Sequence, residues 1–137
     1  MRMENVAATL ENHKSIELVI DLHRDSGSKR VTEINGLPTA QVMLFNGLCR
    51  NSTSEIKGLS NQYLQENLAF SLQTKIVGNE MYPGFMYKIY LKNNRYNMHL
   101  TGKYMLVELG TNKNTVEEAR NGVILLAEVL DRVLKNK

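Results

Sequence analysis

Two stretches of this chain carry apolar residues on consecutive positions, and they restrict its fold more than any other feature. Ile16 to Leu22 reads Ile-Glu-Leu-Val-Ile-Asp-Leu, and Tyr104 to Leu109 reads Tyr-Met-Leu-Val-Glu-Leu. A short strand-forming run that is apolar on both faces is covered on both faces, as in a largely parallel sheet packed between layers of helix. Helical patterns surround these runs. Val6, Ala7 and Leu10 recur at helical spacing between Glu4 and Asn12. Leu64, Leu68, Leu72 and Ile76 fall at steps of four, which predicts one apolar stripe on a helix from about 61 to 77, ended by Gly78. Thr115-Val116-Glu117-Glu118 has the form of a capping box, and Ala119, Val123, Leu126, Leu130, Val133 and Leu134 continue the apolar face beyond it.

This alternation predicts an α/β fold, a three-layer αβα sandwich with a mainly parallel sheet. Val31 to Ile34 and Ala40 to Phe45 read as a hairpin, because Asn35-Gly36 supplies the positive φ of a tight connection. Phe85 to Leu91 reads as a further strand, and Cys49 to Ser60 as a surface loop. The chain has 137 residues, 42% of them hydrophobic, enough for one domain with a real core, and no linker divides it. Residues 1–137 therefore read as a single domain.

Composition removes several classes of function. A single cysteine, Cys49, excludes an internal disulfide and any paired-cysteine metal or redox motif. The formal charge of +3 is spread out, with no run of basic residues, so nucleic acid is not predicted as a partner. No apolar stretch approaches the roughly 18 residues of a membrane span, and the first residues lack the apolar core of a signal peptide.

Chemistry is concentrated at two places. His23, Arg24 and Asp25 follow the first apolar run, where ligands of open α/β sheets bind, and Glu108 interrupts the last one. A carboxylate inside an apolar strand must be neutralised, paired, hydrogen-bonded or set near a metal. Glu108 is thus either a partner of Arg24 or Lys103, or a catalytic group. His23 is either a strand-end cap or a ligand or acid–base group. Arg24 and Asp25 read as a mutual pair or a loop brace. His13, at a helix exit, reads as structural, and His99 stays open between loop residue and ligand. The motifs of serine hydrolases, P-loops, HExxH metalloproteases and dinucleotide-binding folds are absent.

Taken together, Val19-Ile20-Asp21-Leu22-His23-Arg24-Asp25-Ser26, Glu66-Asn67-Leu68-Ala69, Tyr82-Pro83-Gly84, Tyr96-Asn97, and Met105-Leu106-Val107-Glu108-Leu109-Gly110 with Asn112 and Asn114-Thr115 occur in the order and spacing of one family. From about residue 4 to residue 134 the chain resembles the catalytic domain of stage II sporulation protein P, a peptidoglycan hydrolase of endospore-forming Firmicutes. The resemblance implies the fold of zinc-dependent N-acetylmuramoyl-L-alanine amidases, with residues 1–137 as the carboxy-terminal part of the catalytic domain. It implies that His23 is a zinc ligand, that Glu108 is the late catalytic glutamate, and that Arg24, Asp25, Tyr96, Asn97 and Asn112 bind substrate or support the site. The implied substrate is the amide between N-acetylmuramic acid and L-alanine, with cross-link endopeptidase activity beside it. Implied partners are peptidoglycan and other engulfment proteins. The implied location is the extracytoplasmic face of the cytoplasmic membrane at the sporulation septum, with the family's membrane anchor missing from this chain. Two departures accompany the likeness. The family's other zinc ligands lie on an opening strand and loop upstream of this chain, which implies zinc held weakly or not at all here. Met98-His99 stands where the family more often has Gln-Asp.

Overall fold

In the computed structural model, which describes residues 3–54, 56 and 58–136, the elements follow in the order α1 (Met3–Asn12), β1 (Val19–Asp25), β2 (Val31–Ile34), β3 (Leu37–Ala40), β4 (Val42–Gly47), α2 (Leu64–Met81), β5 (Met86–Lys92), β6 (Tyr104–Thr111) and α3 (Val116–Lys135). Four strands form one sheet in the order β1-β6-β4-β5. β1 runs parallel to β6 and β5 parallel to β4, while β4 and β6 are antiparallel. The sheet is mainly parallel, as the apolar runs predict. β6 is bonded on both sides and buried at every position except Glu108, which is half-buried.

Residues alternate between the two faces of a strand, and the two cores follow that period. On one face Met105, Val107 and Leu109 pack with Val42 and Leu44 against Phe70 of α2 and Leu126, Val129, Leu130 and Val133 of α3. On the other, Tyr104 and Leu106 pack with Val6 of α1 and Met98 of the connection before β6. No helix among the described residues is long and apolar enough to cross a membrane.

Tertiary pairing alters four of the expectations. The first strand begins at Val19, not Ile16, because its extent follows its partner: Val19 lies opposite Tyr104, where β6 starts. His23, Arg24 and Asp25 are therefore inside β1 and not beyond its end. β1 is also an edge strand, and Ile20 and Leu22 are 40% and 51% exposed, so the expected cover on both faces is incomplete. The hairpin closes sooner than its sequence suggests. Asn35 and Gly36, with φ of 53° and 77°, form a two-residue turn that pairs Ile34 with Leu37. β3 thus ends at Ala40, and the chain passes Gln41 to enter the main sheet as β4.

The second helix departs further. It continues through Gly78 to Met81, because Gly78 leaves room for another side chain: a Cβ there would lie 2.5 Å from Cγ of Met86. Its apolar stripe is not its buried face. Leu72 and Ile76 are 53% and 50% exposed, whereas Asn67, Phe70, Ser71, Thr74 and Gly78 face inward. Asn67 explains the choice. Its Nδ2 donates to the carbonyls of Met98 (2.7 Å) and Thr101 (3.1 Å), and its Oδ1 accepts from the Tyr104 amide (2.8 Å). These backbone groups are cut off from water and need partners, which no leucine could supply. The third helix begins as its sequence predicts: the Thr115 hydroxyl accepts from the Glu118 amide (3.1 Å), and the Glu118 carboxylate accepts from the Thr115 amide (2.9 Å).

Replacing Asn67 by alanine strands these groups together. Asn67→Ala is expected to cost about 3 kcal/mol, an order-of-magnitude sum for buried polar groups left unsatisfied. Urea unfolding followed by circular dichroism checks this; an unchanged midpoint would show that the amide is dispensable.

Candidate functional site

Strand register brings the two principal candidates together. His23 lies opposite Glu108 across the β1–β6 pair, and Glu108 lies opposite Met43 across the β6–β4 pair. Adjacent strands are about 4.8 Å apart, so the three side chains form a row on one face of the sheet. Beside this row opens a cleft of about 340 Å³, lined by Asp25, Arg30, Met43, Phe45, Lys88 and Tyr90 among others. The two candidates meet in the body of the sheet. β1 and β6 are parallel and end together at Asp25 and Thr111, so the carboxyl ends of the two strands that carry them lie on one edge, although β4 and β5 run the other way.

Glu108 is half-buried, and its Oε2 is buried without a hydrogen-bond partner. Burial pushes its pKa up, the negative charges of Asp25 and Asp21 add to the rise, and His23 and Arg30 oppose it. His23 is exposed, and its Nε2 lies 2.7 Å from Oδ1 of Asp21, which orients the ring. Arg30 pairs with Asp25, donates to the Met43 sulfur (3.4 Å) and lies 5.3 Å from the centre of the Tyr87 ring.

The segment carrying Arg30 has no regular structure, and an asparagine clamps it. Asn114 Nδ2 donates to the Arg30 carbonyl (2.9 Å) and to Glu118 (2.9 Å), while its Oδ1 accepts from the Thr111 amide (2.8 Å). Glu118 is buried and also pairs with Lys29 (2.5 Å). The hydrogen bond from Lys29 is the largest influence holding the Glu118 carboxyl below its usual range, and its bonds from Thr115 and Asn114 act in the same direction.

The other predicted residues are dispersed. Arg24 sits at the irregularity between His23 and Asp25 and lines a groove with Leu22, Leu109 and Asn114. The expected Arg24–Asp25 pair does not form, since Arg30 takes Asp25. Neither Arg24 nor Lys103 pairs with Glu108; the Lys103 ammonium lies 6.0 Å from the Phe70 ring centre. Tyr96 and Asn97 both hold left-handed backbone, with φ of 50° and 62°. The Tyr96 ring packs 6.4 Å from that of Phe45, on the cleft wall. Asn97 lies beside Tyr104, four residues and about 13 Å along β6 from Glu108. Asn112 is exposed, and its amide donates to the Asp25 carbonyl (2.8 Å), tying the end of β1 to the chain after β6. His13 is exposed beyond α1. His99 Nδ1 is buried without a partner, and burial, then the charge of Arg95, hold its pKa below the usual value.

Sequence reasoning missed Asp21, Arg30 and the clamp made by Asn114. Asp21 was within reach, because positions two apart on a strand share a face. Arg30 lies in an irregular loop and carries no such signal. A zinc centre with three protein ligands does not fit the donor set present: among the described residues no group of three His, Cys, Asp or Glu side chains could hold a metal ion.

This sheet, with helices on both faces and a carboxylate opposite an imidazole, has the fold of the N-acetylmuramyl-L-alanine amidases. The amidase of Mycobacterium smegmatis superposes with a TM-score of 0.58 at 12% identity, over 98% of this chain and 61% of that one. The amidase of Mycobacterium abscessus does so with a TM-score of 0.54 at 16% identity, over 96% and 61%. The family model of stage II sporulation protein P matches residues 2–131, and the chain belongs to that family. It is 26% identical over 135 residues to stage II sporulation protein P of Bacillus subtilis, covering 93% of this chain and 31% of that protein. The chain thus spans about a third of the length of that relative.

The two shifted carboxylates predict opposite pH dependences. Glu108 binds its proton more tightly folded than unfolded, so its ionised form costs stability at neutral pH and that cost disappears below the ordinary value of 4.5. Glu118, with a depressed pKa, stabilises above 4.5 and loses that contribution as pH falls through its folded value. In chelator-treated protein, Glu108→Gln is expected to raise the unfolding midpoint at pH 7 and Glu118→Gln to lower it. Both differences should shrink towards pH 3, as measured by urea titrations across the range.

Proposed function

We propose that this chain is the carboxy-terminal part of the catalytic domain of a peptidoglycan hydrolase, and that Glu108 carries the proton transfers of amide cleavage. The observation that carries this reading is the Glu108 carboxylate, held in a buried strand with one oxygen unpartnered, opposite the His23 imidazole in an amidase fold. A carboxyl of raised pKa is suited to both halves of the reaction. It takes a proton from the attacking water as the oxygen–carbon bond forms. It then returns that proton to the leaving amine as the carbon–nitrogen bond breaks. The substrate in this reading is the amide between the lactyl group of N-acetylmuramic acid and L-alanine. Cleavage of stem-peptide cross-links is the neighbouring activity, and action at the sporulation septum, outside the cytoplasmic membrane and with other engulfment proteins, is the setting.

His23 serves in this proposal as a metal-ligating imidazole. A zinc centre would need its other ligands from outside residues 1–137, and no step above is routed through it. The same lack of a three-ligand group favours a second reading, a wall-binding segment without chemistry of its own.

One comparison separates the readings. In the full-length protein, Glu108→Gln is expected to lower muropeptide release by about 10²–10⁴, the usual worth of a general acid–base group, with metal content and folding kept. His23→Ala is expected to lose both metal and activity. Chromatography of released muropeptides together with metal analysis reads both variants. Wild-type rates in Glu108→Gln would reduce that residue to a structural carboxylate, and absence of cleavage by the unmodified protein would favour the binding reading.

A further inference from the structure

The cleft beside Glu108 carries its unpaired charge on one side. Asp25 lines it at the end of β1 and is paired with Arg30, while Lys88 and Lys92 line it from β5. Lysines on an edge strand commonly serve only to discourage strand pairing. These two are held differently. The Lys88 ammonium lies 4.8 Å from the centre of the Tyr90 ring and 5.4 Å from that of Tyr87. The Lys92 ammonium lies 4.6 Å from the Tyr90 ring and 5.9 Å from that of Phe45. Neither is in an ion pair among the described residues. Aromatic faces hold a cation in place without neutralising it, so the charge stays available to an anion.

Register sets the distance. Lys88 lies opposite Met43, which lies opposite Glu108, so the backbones of Lys88 and Glu108 are two strand spacings apart, about 10 Å. An extended peptide advances about 3.5 Å per residue, so a carboxylate one or two residues beyond an amide held at Glu108 falls within reach of a lysine side chain.

We propose that Lys88 and Lys92, held on Tyr90, form a cradle for a peptide carboxylate, and that this cradle aligns an acidic stem peptide across the sheet towards Glu108. Only the identity of the peptide rests on the hydrolase reading above. The cradle itself rests on unpaired cations, aromatic faces and strand register.

The test measures binding to the unmodified chain, without turnover. Two synthetic peptides are titrated into isotopically labelled protein and followed by amide resonances: L-Ala-γ-D-Glu-L-Lys with an amidated carboxyl terminus, and the same peptide with D-isoglutamine, which replaces the one remaining carboxylate by a carboxamide. The carboxylate peptide is expected to bind about tenfold tighter, the worth of one charge-assisted hydrogen bond, with shifts centred on β5. Lys88→Ser and Lys92→Ser should each reduce that preference, Lys88→Arg should retain it, and Lys135→Ser, a lysine on the last turn of α3, should leave it intact. Circular dichroism melts confirm folding. If Lys92→Ser does not fold, the exposed Lys88 and its arginine variant decide. Equal affinity for the two peptides, or a preference that survives Lys88→Ser in folded protein, overturns the cradle. The hydrolase reading fails separately. A full-length protein whose Glu108→Gln variant cleaves at wild-type rate removes the role of Glu108 while a lysine-dependent carboxylate preference keeps the cradle.

Discussion

Strand β6 is paired on both sides, in parallel with β1 and antiparallel with β4, and the candidate site depends on that double pairing. Side chains alternate between faces along a strand, so a slip of one residue would turn Glu108 into the core beneath α3 and bring Val107 or Leu109 to the cleft. The register that prevents this is held at both ends. The Val19 amide donates to the Lys103 carbonyl (3.0 Å) where the strands begin, and the Asn112 amide donates to the Asp25 carbonyl (2.8 Å) where they end. The row His23, Glu108, Met43, Lys88 is a consequence of backbone pairing across four strands, and not of any local sequence motif.

Two asparagines hold the irregular segments that frame this row. Asn67 satisfies backbone groups at Met98, Thr101 and Tyr104, and Asn114 ties Arg30 to Thr111 and Glu118. A side-chain amide both donates and accepts, so one residue can serve a carbonyl and an amide at once. In a low-dielectric surround such satisfied networks are rigid, and the same surround makes a missing partner expensive. Asn114 thereby fixes the backbone at Arg30, whose guanidinium pairs with Asp25 and lines the cleft.

Glu108 itself is out of balance. Burial and two neighbouring carboxylates disfavour its charge, with His23 and Arg30 only partly offsetting them. A residue that costs stability in its ordinary ionised form is what local rules argue against and what proton-transfer sites use. The chain holds one imidazole at this position, and it spans 61% of the length of the amidases whose fold it shares.

Much of this was legible before any coordinates. Thr115 and Glu118 announce the start of α3 because capping is a matter of groups three residues apart. The β6 run announces a covered strand because its apolar residues are contiguous, and Glu108 stands out because it interrupts them. Asn35-Gly36 marks its turn through backbone freedom alone. Other features were not legible. The stripe of Leu64, Leu68, Leu72 and Ile76 points outward at its end because Asn67 and Gly78 answer to groups far along the chain, at Tyr104 and Met86. Arg30 reaches Asp25 through a loop clamp that no spacing encodes. By itself the sequence determined the elements, their caps and the presence of a histidine and a glutamate suited to chemistry, since these rest on interactions among near neighbours. Tertiary structure alone decided which face of α2 is buried, where β1 begins and that His23 and Glu108 stand side by side, because each depends on hydrogen-bond partners distant in the chain whose pairing is settled only when the whole sheet forms.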